Sequence, residues 1–283
     1  MMKLLLTSLL LGIACWPVAV QAQLQIVPDK EAQCVFAGPE RRIAVVWHNA
    51  GDQIFEKEIR LRISQTTSAT AVPVGEIPWK RLQMLPRQTV LESAQLDFPV
   101  VKAETKFLVQ WLENSNSVLG RTEVLVYPTN LLTELKPLAG EEPPGVFDPQ
   151  NQLKPLLKAA AVEFSDLEDA GVEDYRGKLV IAGPFQSQKQ IRSGLAAQLQ
   201  TVAKKGSGVV WLLPPPEREE RHPDKLRPSF YSVLETTRAV VVVQPDLVAD
   251  LPDSPRSQLN LIYFCKLALN PRPPALPDLS PHP

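Results

Sequence analysis

The sequence predicts a two-domain protein, with an N-terminal all-β sandwich and a C-terminal α/β domain in which helices cover both faces of a parallel sheet. Three observations predict this architecture. The length of 283 residues suits two domains. Residues 24–130 consist of short β-branched runs separated by turn signals. From residue 145 onward, strand-like and helical apolar periods alternate.

The sandwich prediction depends on runs that alternate apolar and polar residues, as half-buried strands do. The run KEIRLRIS at 57–64 is the clearest, because its apolar and charged residues face opposite sides. Residues 114–117 (NSNS) predict a hairpin loop between the last two runs. The domain resembles an immunoglobulin-like domain with Trp47 as its core tryptophan, although the matching cysteine pair is absent. The strand-like runs are 41–48, 57–64, 105–112 and 121–127.

The N-terminus reads as a targeting segment. Lys3 supplies a positive charge, residues 4–20 are mainly apolar, and the sequence VQA ending at Ala22 fits signal-peptide cleavage. We therefore expect an exported protein, periplasmic or extracellular. A retained membrane anchor is one alternative, opposed by the polar residues and proline in the apolar run. A lipoprotein anchored at Cys15 is another, but it lacks the leucine expected three residues before the cysteine.

The α/β prediction follows from apolar strand-like segments with helical periods between them. The first helix should start near Asn151, because Pro155 is tolerated only in a first turn. Gly206 predicts the end of the second helix, and Ser254 with Pro255 predicts the start of the last one. By analogy with flavodoxin-like sheets, the expected strand order is 2-1-3-4-5. The expected strands lie at 145–149 (with a turn), 162–164, 178–182, 209–213 and 239–244.

The predicted boundaries follow the changes in period and composition. Glycine, glutamate and proline between residues 140 and 144 mark the connection between the domains. The predicted segments are a signal peptide at 1–22, the sandwich at 23–130, a linker at 131–144, the α/β domain at 145–270 and a proline-rich, disordered tail at 271–283.

Four segments of the second domain follow one another as GVFDPQNQLKPLLKAAAVEF, YRGKLVIAGPF, a helix ending AKKGSG, and VVWLLPP. Over residues 145–269 this order resembles the class I glutamine amidotransferase-like fold. In active members of that family the last of these strands leads into a Gly-x-Cys-x-Gly elbow, and a histidine and a glutamate complete the triad. The matching positions, 213–216, read Leu-Pro-Pro-Pro and hold no nucleophile or flanking glycine. His222 lies in a polar segment and His282 in the tail, so the resemblance implies a domain without catalytic residues.

Acidic residues follow the first two predicted strands of the α/β domain. Ligands bind open parallel sheets at the carboxyl edge, so these residues mark a candidate ligand crevice. A magnesium site that includes Asp166 is one alternative, opposed by the lack of an aspartate after the third strand. Solvated loop acids are the other. The candidate crevice consists of Asp148, Glu168, Asp169, Gly183 and Pro184.

Composition argues against several classes of ligand. The 30 basic and 31 acidic side chains are nearly balanced and form no basic cluster, so nucleic-acid binding is not expected. No cofactor or metal is predicted, because the three histidines lack zinc-site spacing. The turn at 206–208 (GSG) precedes a strand rather than a helix, the wrong order for a phosphate loop. Cys34 and Cys265 fall in different domains and are predicted to be unpaired.

The last predicted helix, running to about Leu269, is apolar on almost every side and should be buried on more than one face. It is too short to span a bilayer, so no transmembrane helix is expected in the mature chain. One stripe should pack on the sheet with Phe264 as its main anchor. The other, beside Tyr263, should contact the sandwich or a partner protein. The stripes are Leu261, Phe264, Cys265 and Ala268, and Leu259, Ile262, Lys266 and Leu269, respectively.

Three function hypotheses follow. The first is an exported, non-catalytic interaction or scaffold protein with a degenerate amidotransferase-like domain. The second is a carbohydrate-binding accessory protein of an extracytoplasmic sugar-processing system, for which Trp79 would be the exposed aromatic platform, since Trp47 and Trp111 look like core residues. The third is a hydrolase with an unrecognised site. The expected partner is accordingly a protein or a polysaccharide.

Overall fold

The computed structural model describes residues 23–29, 31–114, 117–214 and 240–270. Within these ranges, two facing β-sheets are followed by a parallel sheet with helices on both sides, so the prediction of an all-β domain and an α/β domain is confirmed. Several sequence predictions lie outside the described residues: the signal peptide at 1–22, Pro215 and Pro216, His222, His282 and the tail at 271–283.

The N-terminal domain is built from a three-stranded sheet and a five-stranded sheet. The strands are β1 (Leu24–Val27), β2 (Gln33–Phe36), β3 (Gly38–Asn49), β4 (Phe55–Thr66), β5 (Ala71–Met84), β6 (Thr89–Phe98), β7 (Thr105–Asn114) and β8 (Ser117–Tyr127). Their orders are β1-β3-β6 and β2-β8-β7-β4-β5. Neighbours are antiparallel except β2 and β8, which are parallel. The four predicted strand-like runs all lie within these strands.

Tryptophans fill the centre of the sandwich. Trp47 of β3 and Trp111 of β7 are fully buried, as predicted, with ring centroids 5.4 Å apart in an edge-to-face arrangement. The indole N–H of Trp111 donates a hydrogen bond to Thr122 Oγ1 at 2.9 Å. The contact between Trp47 and Trp111 joins the three-stranded sheet to the five-stranded sheet.

The expectation that Trp79 is an exposed platform is wrong. Trp79 is only partly exposed, and its ring lies 6.4 Å from Trp47 and 5.0 Å from Trp111. The register between β4 and β5 shifts at this position, so Trp79 has no partner in the ladder. Such a bulge redirects a side chain. Here it turns Trp79 toward the core, and Lys80 covers the ring from 4.8 Å.

The α/β domain has five parallel strands in the order β10-β9-β11-β12-β13. Numbered within the domain, this is 2-1-3-4-5, the predicted order. The strands are β9 (Gly145–Phe147), β10 (Ser165–Asp166), β11 (Leu179–Ala182), β12 (Gly208–Leu212) and β13 (Val240–Val243). The helices of the chain are α1 (Leu135–Ala139), α2 (Lys154–Ala159), α3 (Leu167–Ala170), α4 (Leu195–Lys204) and α5 (Pro255–Leu269).

Two predicted boundaries in this domain are wrong. The first helix begins at Lys154 rather than near Asn151, because Asn151 has a φ of +54° and lies in the preceding turn. The second strand is Ser165–Asp166 rather than 162–164. Residues 162–164 instead follow the end of α2, where the N–H of Val162 donates to the carbonyl of Leu157 at 2.8 Å.

The connecting segment 131–144 contributes to the core as well as joining the domains. It forms a 3₁₀ turn followed by α1, and it buries Leu132 and Leu135. Phe36 and Tyr127 of the sandwich belong to the same buried cluster. These four residues and the buried face of α5, which belongs to the same cluster, are the interdomain core.

The start of α5 agrees with the prediction. Ser254 is the N-cap, its hydroxyl accepts the N–H of Ser257 at 3.2 Å, and Pro255 is the first helical residue. A Cβ on Gly208 of β12 would lie 2.8 Å from the backbone of Ala268, so the stripe predicted to face the sheet does so at close range.

The other stripe of α5 contacts the connecting segment. Lys266 pairs with Glu134 at 2.9 Å, and Ile262 is buried in the interdomain core. At the N-terminal end of α5, Arg256 pairs with Glu31 of the sandwich at 2.7 Å. None of the helices within the described ranges is long and apolar enough to cross a membrane.

Candidate functional site

The carboxyl edge of the parallel sheet brings several of the predicted crevice residues close to one another. Asp148 follows β9 and Gly183 follows β11, and these two strands are neighbours. The N–H of Gly183 donates to the carbonyl of Phe147 at 2.7 Å. Glu168 lies in the first turn of α3, just after β10 on the other side of β9. The fold therefore places both ends of the candidate crevice on one edge.

Asp148 is almost completely buried, with 1% of its surface exposed. Its Oδ2 accepts hydrogen bonds from the backbone N–H groups of Leu153 at 2.7 Å and Lys154 at 3.0 Å. These are amides at the start of α2, which have no partner within the helix. Asp148 thus caps α2 and fixes the loop that leaves β9. Its Oδ1 is also buried and has no hydrogen-bond partner among the described residues.

Lys154, Asp166 and Glu168 form a charged cluster beside this cap. The Lys154 side chain is 8% exposed, and its Nζ donates to Asp166 Oδ2 at 2.7 Å and to Glu168 Oε2. Lys154 is not among the residues predicted from the sequence, since its partners lie 12 and 14 residues away and become neighbours only when β10 pairs with β9. The only local signal was a lysine in the first turn of an otherwise apolar helix.

The charged cluster shifts the pKa of all three of its groups. Burial alone would lower the pKa of Lys154, but hydrogen bonds to Asp166 and Glu168 outweigh burial and raise it. Burial opposes ionisation of Asp166, yet the hydrogen bond from Lys154 and the backbone N–H of Glu168 lower its pKa. For Glu168, burial dominates and raises the pKa despite Lys154. Because its Nζ donates to both carboxylates, the Lys154 ammonium occupies the place between them that a bound metal cation would otherwise take.

The remaining crevice residues do not converge on a ligand position. Asp169 is exposed to solvent but lies in α3 rather than in a loop. Gly183 is buried with a φ of +100°, and a Cβ there would lie 2.6 Å from the carbonyl oxygen of Leu212. Only glycine fits that conformation and that contact. Pro184, which follows through a cis peptide bond, is partly buried.

The point where ligands bind in open α/β sheets lies between the strands at which the chain order reverses. In this sheet it lies between β9 and β11. The rings of Phe147 and Phe185 lie there 6.2 Å apart, and the Arg192 guanidinium lies 4.8 Å from the centre of the Phe147 ring. Gln150 Oε1 also accepts the N–H of Gln186 at 3.2 Å. The two rings are buried in the core cluster beneath α4, and the exposed Arg192 covers the ring of Phe147.

The positions that match the nucleophile elbow are partly described. Leu213 is half-buried, and its N–H donates to the carbonyl of Val243 at 3.0 Å. That N–H is therefore engaged in the sheet and not free to bind an oxyanion. Pro214 is buried and has no N–H.

Two other features of the described chain bear on its chemistry: its two cysteines and the groove that one of them lines. Both cysteines are free: Cys265 is buried, which raises the pKa of its thiol, and Cys34 is half-buried. Cys34 lines an open groove of about 670 Å³ between the sandwich and α5, with Arg256 Nη2 3.9 Å from its sulfur. Within the described ranges, no group of histidine, cysteine, aspartate or glutamate side chains could hold a metal ion.

Comparisons with known proteins add little. No family model and no curated protein matches the chain. Among solved structures, β-glucosidase from Listeria innocua in complex with gluconolactone is 14% identical with a TM-score of 0.28, over 37% of this chain and 16% of its own. Alkylpurine DNA glycosylase AlkC from Pseudomonas fluorescens, bound to DNA, is 12% identical with a TM-score of 0.29, over 38% of this chain and 31% of its own. Similarity this low carries no inference about fold or activity.

Proposed function

We propose that the protein is an exported, non-catalytic interaction protein. In this proposal an immunoglobulin-like sandwich is joined rigidly to a degenerate, flavodoxin-like domain related to class I glutamine amidotransferases. The observation that supports it best is the packing beside the switch point between β9 and β11, where the rings of Phe147 and Phe185 are buried in the core and Arg192 covers Phe147. The partner would be a protein that contacts the outer surfaces of the two domains.

The chemistry at the carboxyl edge supports the absence of catalysis. The Lys154 amine is held by two carboxylates, and its raised pKa keeps it protonated, so it is neither a nucleophile nor a base at neutral pH. One carboxylate oxygen of Asp148, Oδ2, accepts the two backbone N–H groups at the start of α2. The engaged N–H of Leu213 and the missing N–H of Pro214 leave the elbow without donors for a developing oxyanion.

The interdomain core supports a scaffold rather than two tethered modules. Phe36 and Tyr127 of the sandwich share a buried cluster with Leu132, Leu135 and α5. Relative domain motion is the usual expectation when an interface is small and polar. An apolar core that continues through the connection instead fixes the two domains in one arrangement. A rigid arrangement of surfaces lowers the entropic cost of binding a partner.

Turnover assays test the proposal. The chain from Gln23 onward should hydrolyse no glutamine, ester or peptide substrate, and a serine-reactive probe should not label it. A cysteine-reactive probe should label wild type only at the half-buried Cys34, so the Cys34→Ser variant should stay blank. Turnover, or labelling that persists in Cys34→Ser, contradicts the proposal.

Export is the second part of the proposal and depends on the leader sequence alone. Intact-mass analysis of the exported protein should give a chain that begins at Gln23. A mature chain that begins at a lipidated Cys15 would overturn the cleavage position.

The carbohydrate-binding alternative loses its main support. Trp79, the residue that would have offered a flat aromatic platform, stacks against Trp47 inside the sandwich. No other observation favours a sugar ligand over a protein partner.

A further inference from the structure

The two long edge strands of the sandwich differ in how they are protected. β5 forms one edge of the five-stranded sheet and contains Pro73 and Pro78, which cannot donate backbone hydrogen bonds. Its register with β4 also shifts at two places. These features are the usual protection of an edge against pairing with another chain. β6, at the edge of the three-stranded sheet, contains no proline, and its register with β3 is unbroken from Leu96 to Thr89.

The backbone of β6 has a definite outward set of hydrogen-bonding groups. The N–H of Asn49 donates to the carbonyl of Gln88, which makes this a hydrogen-bonded pair at the end of the β3–β6 ladder. Antiparallel ladders alternate such pairs with pairs whose groups point away from each other. The N–H and C=O groups of Thr89, Leu91 and Ser93 therefore point away from β3, toward the free edge.

The outer face of the same sheet carries an apolar row that ends at this edge. Val27 of β1, Val46 of β3 and Leu91 of β6 are direct cross-strand partners. Val27 is 44% exposed and Leu91 is 71% exposed. Among the described residues, Leu91 is thus an exposed leucine on an edge strand that no other strand covers, at the open end of a row that a further strand would extend.

We propose that β6 pairs antiparallel with β6 of a second copy of this chain, about a two-fold axis at Leu91. Leu91 then faces Leu91 of the second copy, and the apolar row continues from one molecule into the next. Thr89 of each chain faces Ser93 of the other, a favourable cross-strand pair. All three residues have the outward backbone groups that this pairing uses. The interface is isologous, as expected for a two-fold dimer.

Charge permits this register, and the apolar row favours it over the neighbouring one. Glu92 is the one charged residue between Thr89 and Ser93, and it is already paired with Lys80 of its own chain at 2.6 Å. In the proposed register it faces Val90 of the second copy, so no like charges meet. Moving the axis to Ser93 would instead place Leu91 opposite Gln95 and lose the continuous apolar row. The overlap is short, so the dimer is weak and depends on concentration.

Sedimentation velocity over a concentration series tests the dimer. The wild type should shift from the monomer mass toward twice that mass as the concentration rises to ~1 mM, the weak end of protein association. Leu91→Lys should remain a monomer. The matched control is Val100→Lys, which changes a 91% exposed valine outside the strand and should dimerise as wild type does. A monomeric wild type, or a dimer that survives Leu91→Lys, overturns the proposal.

Cysteine cross-linking tests the register. In a Cys34→Ser background, Leu91→Cys should form a disulfide-linked dimer on mild oxidation, because directly paired residues have Cα atoms ~5.5 Å apart. Ser93→Cys, two residues away on the same exposed edge, should cross-link far less, since it faces Thr89 of the second copy. Equal cross-linking of the two variants would contradict the register. Neither outcome depends on whether the α/β domain is catalytic.

Discussion

The interdomain core and the charged cluster both join elements that are distant in sequence, but they do so by different physics. The interdomain core is apolar: Phe36, Tyr127 and α5 meet without a buried charge. The charged cluster joins α2 to the loop after β10 through Lys154 and two carboxylates. Apolar burial stabilises at any pH, whereas the contribution of a titratable side chain to stability depends on its protonation state and on the direction of its pKa shift. The difference predicts which changes cause large losses of stability and which cause only a pH dependence.

The largest effect is expected in the interdomain core. Phe264→Ala should lower the free energy of unfolding by ~3–5 kcal/mol, because it removes a buried ring and leaves a cavity. Tyr263→Ala is the matched control, since the neighbouring ring is 51% exposed, and it should cost less than ~1 kcal/mol. Denaturant titration measures both. Equal midpoints would mean that α5 does not belong to the core.

An intermediate loss of stability is expected beside the switch point, where Gly183 lies close to the backbone of Leu212. Gly183→Ala should cost ~2–4 kcal/mol, because alanine is strained at this φ and its Cβ would meet the carbonyl of Leu212. Gly194→Ala is the control: its φ is +86°, but its Cβ would have open space. The control should show the strain alone, ~1 kcal/mol. If the two variants unfold at the same denaturant concentration, β11 and β12 are not in close contact there.

The smallest effects belong to the charged cluster and appear as opposite pH dependences. The pKa of Asp166 is lowered from 3.8, so its contribution to stability is present above that pH and is lost as the pH falls through the folded-state pKa. The pKa of Glu168 is raised from 4.5, so its contribution is present below that pH and is lost as the pH rises through the folded-state pKa.

Two isosteric variants separate these contributions. The stability advantage of wild type over Asp166→Asn should shrink as the pH falls below about 3.8. The advantage over Glu168→Gln should shrink as the pH rises above about 4.5. Urea titrations of the three proteins at several pH values measure both differences. Parallel pH profiles for the two variants would contradict the assigned pKa directions.

Local patterns in the sequence predicted the features that local physics determines. Ser254 and Pro255 specify the start of α5 through capping and a fixed φ, and the apolar run ending at Ala182 predicted a strand buried on both faces. The alternation of strands and helices predicted a parallel sheet, whereas the strand order was expected only by analogy with flavodoxin-like sheets. The contacts that Phe185 and Arg192 make with Phe147 beside the switch point could not be read locally, because both residues lie in loops.

Features that depend on register or on distant partners were missed. Trp79 looked exposed because its neighbours are a proline and two basic residues, but a bulge that exists only in the β4–β5 pairing turns it inward. Lys154 was not singled out, because its carboxylate partners come near it only through the pairing of β10 with β9. The helices in 131–144 were hidden by the glycine and prolines that follow them.

We expect the protein's own contacts to close the carboxyl edge of the parallel sheet. Amide hydrogen exchange at Leu153, Lys154 and Gly183 tests it most directly, because these N–H groups bond to Asp148 and to Phe147. If the edge is closed, they should exchange as slowly as the amide of Ile181 in the centre of β11, through global unfolding alone. Exchange at these three amides that is orders of magnitude faster than at Ile181 would show an edge that opens to a ligand, and would contradict the account.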